Sequence, residues 1–173
     1  MIRKEEGDYL MAATSVAVSL EKPSPYRAIL WGGLIAGTLD ITAAFINSGL
    51  HARSPLFVLQ SIASGLLGAD SYKAGLSSAA LGLAVHFLIA FTACTVYFIV
   101  SRVFTVLIRR AVICGLIYGV VVWLFMYGVV LPLTFRRSFF NPLSAVIIGM
   151  VIHMLCVGLP IALVVRRYSD SRK

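Results

Sequence analysis

Three ionisable side chains that could do chemistry lie inside otherwise apolar stretches of this chain: Asp40, His86 and His153. Each histidine ends one copy of a motif in which Leu, Ser, Gly and His recur at identical spacing. The two copies are Leu76-Ser77-xxxx-Gly82-xxx-His86 and Leu143-Ser144-xxxx-Gly149-xxx-His153. Because titratable groups at membrane depth are costly, they usually face protein or water. We therefore predict that Asp40, His86 and His153 form a candidate intramembrane polar site.

The chemistry of this site depends on whether the three side chains meet. Asp40 could bind a proton or a cation. It could also be satisfied by a hydroxyl, a loop cation or water, since we expect it roughly 9 Å from the end of its helix. His86 and His153, expected near mid-bilayer, could be hydrogen-bonded core residues, could relay protons with Asp40, or could ligate haem b from two helices. We predict no metal and no cofactor, with haem or a metal on the two histidines as the weaker alternatives.

The sequence contains no pattern typical of a known catalytic site. A nucleotide-binding loop, an HExxH motif and a GxSxG motif are all absent. Cys94, Cys114 and Cys156 each lie in an apolar stretch without the paired spacing of a zinc site, and we interpret them as small buried hydrophobic residues. We therefore predict no catalytic residue and a protein that is not an enzyme.

Composition indicates where such a chain resides. Of its 173 residues, 60% are hydrophobic and only 13% are charged, with a mean hydropathy of +0.93. These values are typical of a polytopic membrane protein. The net charge of +8 could suggest nucleic acid as a partner, but the 15 basic residues lie almost wholly in the short gaps between apolar runs. That distribution is typical of charges that orient helices in a bilayer, so we predict lipid and not nucleic acid as the partner.

Four apolar runs are long enough to cross a bilayer, which predicts an all-α bundle of four transmembrane helices. We predict spans over residues 28–46, 75–100, 111–131 and 143–165, within one membrane domain of residues 26–168. Residues 1–25 and 169–173 are predicted as cytoplasmic tails. The apolar run 55–68 is too short to span and predicts an interfacial or re-entrant helix.

Small residues recur at helical spacing in every predicted span and predict the faces that pack together. The glycines expected at helix contacts are Gly33, Gly37, Gly82, Gly115, Gly119 and Gly149. Pro160, in the last span, lacks the backbone N–H that would bind the carbonyl of Cys156. This position could therefore be a kink or an ion contact.

The basic residues predict the orientation of the chain. Lys and Arg number eleven at the side of the two termini and of the loop between the second and third spans, against four in the other two loops. Because cytoplasmic loops carry the excess of positive charge, we predict both termini in the cytoplasm.

The first and third spans also share a pattern. Gly33-Leu34-Ile35-Ala36-Gly37 corresponds to Gly115-Leu116-Ile117-Tyr118-Gly119, and the histidine motifs correspond in the second and fourth spans. These matches predict an internal repeat: two helical hairpins in parallel orientation, the first carrying the extra short helix.

Several stretches resemble a family of small four-helix proteins of the bacterial inner membrane for which no activity is known. The resemblance covers most of the chain from Arg27 to Arg167. The stretches that carry it are GLIAGTLD at 33–40, QSIASG at 60–65, HFLIAF at 86–91 and VGLPIAL at 157–163. It implies a multi-pass protein of the bacterial inner membrane and supplies no functional residue.

We therefore predict an integral inner-membrane protein, most simply a non-enzymatic structural or partner-binding subunit. An alternative is a small proton-linked transporter or channel that uses Asp40, His86 and His153, which would require the three residues to converge. A bis-His haem b protein is a second alternative. Four helices enclose little space, so a homo-oligomer or a larger membrane complex is a possible assembly.

Overall fold

A computed structural model describes residues 24–130 and 143–169, and all regular structure within these ranges is helical. Its α-helices are α1 (Pro25–Gly49), α2 (Pro55–Leu67), α3 (Gly75–Val103), α4 (Val106–Arg109), α5 (Ala111–Phe125), α6 (Leu143–Ile152) and α7 (Leu159–Ser169). A short 3-10 helix (Gly68–Tyr72) follows α2. A π turn (Met126–Val130) extends α5, and a second π turn (His153–Gly158) joins α6 to α7.

Four of these helical stretches are long and apolar enough to cross a membrane: Pro25–Gly49, Gly75–Val103, Ala111–Val130 and Leu143–Ser169. We call them the first to the fourth span. Their outward side chains are apolar and exposed, for example Leu88 at 65%, Ile117 at 58% and Leu155 at 52%. Exposed apolar surface of this extent is compatible with a multi-pass membrane protein, as the composition predicts.

The spans pack in the order second, first, fourth, third, and neighbours in this order contact one another closely. The first span lies antiparallel to the second, since Gly32 faces Cys94 and Gly37 faces Phe87. Arg27, Arg102, Arg109 and Arg166 therefore lie at one end of the bundle, which we call the basic end. At this end Arg102 donates a hydrogen bond of 2.6 Å to the hydroxyl of Ser169. The second and third spans lie at the two ends of this order, so only side chains join them along most of their length.

Local sequence fixes where the helices begin. Ser24 and Ser54 each accept a backbone N–H of the first turn, from Arg27 and Phe57, and a proline follows each serine at the first helical position. Gly68 and Gly75 have φ values of +65° and +61°, which glycine adopts at little cost, and they turn the chain from α2 into α3.

The spans differ from their predicted bounds by a few residues. The first span begins at Pro25 and ends at Gly49, beyond the predicted 28–46. Asn47-Ser48-Gly49 does not end the helix, since the backbone N–H of Leu50 still binds the carbonyl of Ile46. The second and fourth spans continue to Val103 and Ser169. The described part of the third span ends at Val130, and the predicted tails lie outside the described residues except for their inner edges.

The short helix α2 packs on the second span with its small and polar side inward. Gln60 and Ser64 are buried, and Gln60 donates a hydrogen bond of 3.2 Å to the carbonyl of Gly75. The backbone of Leu59 lies so close to Gly82 that a side chain at Gly82 would overlap its carbonyl. The exposed side carries apolar residues such as Leu66, at 65%. The helix therefore covers one side of the second span.

The third and fourth spans cross at glycines. A Cβ atom at Gly119 would lie 2.5 Å from the carbonyl oxygen of His153 and 2.5 Å from the Cα atom of Met154. One turn earlier Gly115 and Gly158 meet through their backbones. Close approach of backbones at small residues is the usual basis of helix packing in membranes, because the bilayer is as apolar as the helix surface.

The second π turn lies at this crossing, since it contains His153, Met154 and Gly158. The π turn His153–Gly158 ends two residues before Pro160, whose ring nitrogen cannot donate a hydrogen bond to the carbonyl of Cys156. The wider turn is thus the local response to Pro160 that the sequence suggested as a kink. Single π turns within α-helices often occur at functional sites.

Candidate functional site

Asp40, His86 and His153 line one small cavity in the middle of the bundle. Each comes from a different span, the first, second and fourth respectively. The rest of the lining is apolar, including Ile62 of α2 and Met126 of the third span. The three polar residues singled out in the sequence are therefore brought together by the packing of the spans.

The length of the first span explains why Asp40 reaches the level of the histidines. We expected Asp40 roughly 9 Å from the end of its helix, on the basis of a helix ending at residue 46, and this distance is wrong because the helix continues to Gly49. Asp40 lies nine residues before Gly49, while His86 lies eleven residues after Gly75 and His153 ten residues after Leu143. At 1.5 Å per residue, all three lie about 13–17 Å from these helix ends.

The hydrogen bond of His86 fixes the arrangement of its ring protons. Its Nε2 atom lies 2.8 Å from the carbonyl oxygen of Gly37, in the first span. Because a carbonyl only accepts, Nε2 must carry the proton, and Nδ1 of the neutral ring keeps a lone pair. Gly37 has no side chain to block this approach, and a Cβ atom there would lie 2.8 Å from the ring of Phe87. His86 thus joins the first two spans and still has one free acceptor.

His153 has the opposite tautomer. Its Nδ1 atom lies 2.8 Å from the carbonyl oxygen of Gly149, one turn earlier in the same helix. Nδ1 is therefore the protonated nitrogen, and Nε2 of the neutral ring is an acceptor. This hydrogen bond to the backbone carbonyl also orients the ring.

Asp40 is half-buried, and its carboxylate makes no hydrogen bond or ion pair with any residue that the structure describes. Within the described part of the chain, an ion pair joins Lys73 to Asp70 in the exposed segment before α3. The three residues that line the cavity therefore retain three acceptors: one carboxylate and two imidazole lone pairs.

The size of the cavity limits what can occupy it. Its volume is about 80 Å³, which is room for a few water molecules, since one water needs about 10–15 Å³ of such volume. This volume by itself is smaller than the roughly 300 Å³ of a small-ligand site. Within the described ranges, no three His, Cys, Asp or Glu side chains are grouped closely enough to hold a metal ion. The cavity by itself therefore has room for water and for groups of similar size.

A larger apolar groove lies next to the cavity, between the second and third spans. Its volume is about 470 Å³, and residues such as Leu88, Val96, Val121 and Phe125 line it. Four residues border both the groove and the cavity and so form the wall between them: Ile89, Ala93, Val122 and Met126.

Tyrosines hold the two spans at the edge of this groove. The hydroxyl of Tyr118, in the third span, donates a hydrogen bond of 2.7 Å to the carbonyl of Ala93 in the second. The rings of Tyr118 and Tyr97 meet edge to face at 4.9 Å. Tyr97 in turn donates a hydrogen bond of 3.0 Å to the carbonyl of Leu107. These contacts bridge a gap that the backbones leave open.

Sequence reasoning missed several residues of this region. Tyr118 entered only as part of the repeated pattern at 115–119. Cys114 and Cys156 were interpreted as small buried residues, but both are only half-buried. Cys94 fits the interpretation fully, since it is 0% exposed. Met126 and Ile62 carry no polar atom, so nothing in the sequence could have assigned them to the cavity.

A comparison of this chain with protein-family models, with curated proteins and with solved structures found no match. The functional assignment therefore rests on the residues and their geometry.

Proposed function

We propose that this protein is a small proton-linked transporter or channel whose proton-binding site consists of Asp40, His86 and His153. The observation that carries this proposal is that all three side chains, from three different spans, line one cavity. From the sequence alone, a proton-linked transporter or channel required these three residues to lie close together. A structural or partner-binding role, the simpler prediction from the sequence, does not require such convergence.

The chemistry of the three groups supports the proposal. A proton that enters the cavity meets a carboxylate and two imidazole nitrogens, each of which has a lone pair, and histidine is the side chain that gains and loses a proton near neutral pH. An imidazolium formed there is stabilised by the negative charge of Asp40. Ordered water in the cavity can connect groups that do not touch directly. Ionisable residues within membrane spans commonly form such proton relays.

We further propose that the protein lies in the inner membrane of a bacterium with its basic end in the cytoplasm. The clustering of arginines at one end of the bundle supports this orientation. The short helix α2 would then enter from the outer side as a re-entrant helix, since its Ile62 reaches the same cavity as the mid-span histidines. A homo-oligomer remains part of the proposal, because four spans surround only a narrow path.

Proton movement into liposomes tests the proposal. The purified protein is reconstituted with a pH-sensitive dye inside, and a potassium diffusion potential drives protons inward. We expect the wild-type rate to exceed that of empty liposomes and to fall at least about ten-fold in Asp40→Asn, with smaller losses in His86→Gln and His153→Gln.

The matched control is His51→Gln. His51 is exposed in the loop after the first span, where its Nδ1 binds the carbonyl of Asn47 at 2.8 Å, and we expect its replacement to leave the rate unchanged. Equal rates in the wild type and all four variants would contradict a proton site at the cavity.

A further inference from the structure

The cavity and the apolar groove are neighbours that share four lining residues, Ile89, Ala93, Val122 and Met126. Met126 belongs to a π turn, and methionine is the most adaptable apolar side chain in packed interiors. Ala93 contributes only a methyl group. A molecule in the groove therefore needs to displace little to reach the polar groups behind it.

The groove fits a lipophilic occupant that enters from the bilayer. Its volume of about 470 Å³ lies within the range of small-molecule sites. Of the residues that line it, only Thr92 and Tyr118 carry polar side-chain groups, and both of these donate to backbone carbonyls. The occupant's body must accordingly be apolar.

The cavity determines the chemistry of the occupant's polar end. Asp40 and the unprotonated nitrogens of His86 and His153 are all acceptors, so a complementary group must donate hydrogen bonds. The carboxylate also lacks a basic partner among the residues described, and a lone charge at this depth costs about 3 kcal/mol on insertion scales. A group that both donates and carries positive charge satisfies both conditions, which is the chemistry of an ammonium ion.

A second copy of the chain would not supply this group. In the described spans every Lys and Arg lies near the basic end, at Arg27, Arg102, Arg166 and Arg167. A neighbouring span laid in the groove would therefore bring no cation to the depth of Asp40.

We propose that the groove and the cavity together bind a lipophilic primary amine, with its apolar body between the second and third spans and its ammonium group among Asp40, His86 and His153. This inference rests on the proposed function, because it names the substrate class that such a carrier would exchange for protons.

Equilibrium binding in lipid nanodiscs tests the inference without any proton gradient. Three probes share one apolar body and differ in the polar end: phenylbutylamine, phenylbutanol and phenylbutyrate. We expect saturable binding of the amine by calorimetry, weaker binding of the alcohol and none of the acid. Asp40→Asn should weaken amine binding about ten- to a hundred-fold, the range expected for loss of a charge-assisted hydrogen bond.

A substitution in the groove tests the same inference while Asp40 and the two histidines stay unchanged. Val121 lines the groove and is 52% exposed, so Val121→Phe can fill the groove without disturbing the core. We expect at least about ten-fold weaker amine binding. Leu124→Phe is the control, since Leu124 is 54% exposed on the same span and does not line the groove. It should bind the amine as the wild type does.

Three outcomes would overturn the inference. Equal amine binding in the wild type, Asp40→Asn and Val121→Phe would mean that the amine only partitions into lipid. Tight binding of the acid would contradict the charge argument. A change from dimer to monomer in Val121→Phe, with no amine binding by the wild type, would mean that a second copy covers the groove. The binding assay measures no proton movement. A failure of amine binding would therefore overturn this inference without contradicting the proton site, which the liposome assay tests.

Discussion

Replacing Gly119 by alanine tests the packing that places His153 beside the cavity. The added methyl carbon would lie 2.5 Å from the carbonyl oxygen of His153 and 2.5 Å from the Cα atom of Met154. Both are backbone atoms, so no change of rotamer can relieve the overlap, and the third and fourth spans must separate. Overpacking of a tight core costs about 1–3 kcal/mol, and a contact with backbone belongs at the upper end of that range. We expect Gly119→Ala to lose about 2–3 kcal/mol of unfolding free energy.

Gly128→Ala is the matched control on the same span. No atom outside its own helix lies within 4 Å of a Cβ atom placed at Gly128. Alanine favours a helix over glycine by about 0.5–1 kcal/mol, so this variant should be as stable as the wild type or slightly more stable. The assay is reversible unfolding in mixed micelles by increasing fractions of sodium dodecyl sulfate. If both variants unfold at the same fraction, the third and fourth spans do not cross at Gly119 and the placement of His153 is wrong.

Three further outcomes follow from single contacts. Tyr118→Phe removes the hydrogen bond between the second and third spans and should lose about 1 kcal/mol in the same assay, whereas Tyr26→Phe, at a site 82% exposed, should lose none. His86→Phe should lose about 1 kcal/mol and His86→Gln less, because the amide can still donate to the first span. In a chain whose native cysteines are replaced by alanine, an impermeant maleimide applied to intact cells should label Leu50→Cys and not Thr105→Cys. The reverse pattern would invert the proposed orientation.

The four helices could be predicted from the sequence because each is long, apolar and bounded by charges or turn residues. The candidate polar residues could be predicted because an acid or a histidine within such a stretch is costly. Their convergence was only a hypothesis, since the depth of Asp40 depends on where the first span ends. That end is set by backbone hydrogen bonds after Asn47. The residues Asn47-Ser48-Gly49 by themselves are compatible with a helix that ends at residue 46 and with one that ends at Gly49.

The groove could not be predicted, because it arises from the order in which the spans pack. Hydropathy gives the faces of each helix but not which neighbour each face meets. The predicted internal repeat also leaves contacts undetermined. Gly37 meets the second span beside His86, and Gly119 meets the fourth at His153, which are corresponding positions. However, His86 donates to the neighbouring span through Nε2, while His153 donates to its own helix through Nδ1. The two histidines therefore differ in their hydrogen bonds, and the internal repeat stays a prediction.

Nitrogen NMR of the histidine rings tests most directly whether Asp40, His86 and His153 form one site. The protein is labelled with ¹⁵N-histidine, placed in nanodiscs at alkaline pH so that the rings are neutral, and assigned with His→Gln variants. The structure predicts a proton on Nε2 of His86 and on Nδ1 of His153, and it predicts that Asp40→Asn shifts the ring signals of both while those of His51 stay in place. Identical tautomers for the two intramembrane histidines, or signals that do not respond to Asp40→Asn, would contradict a shared site.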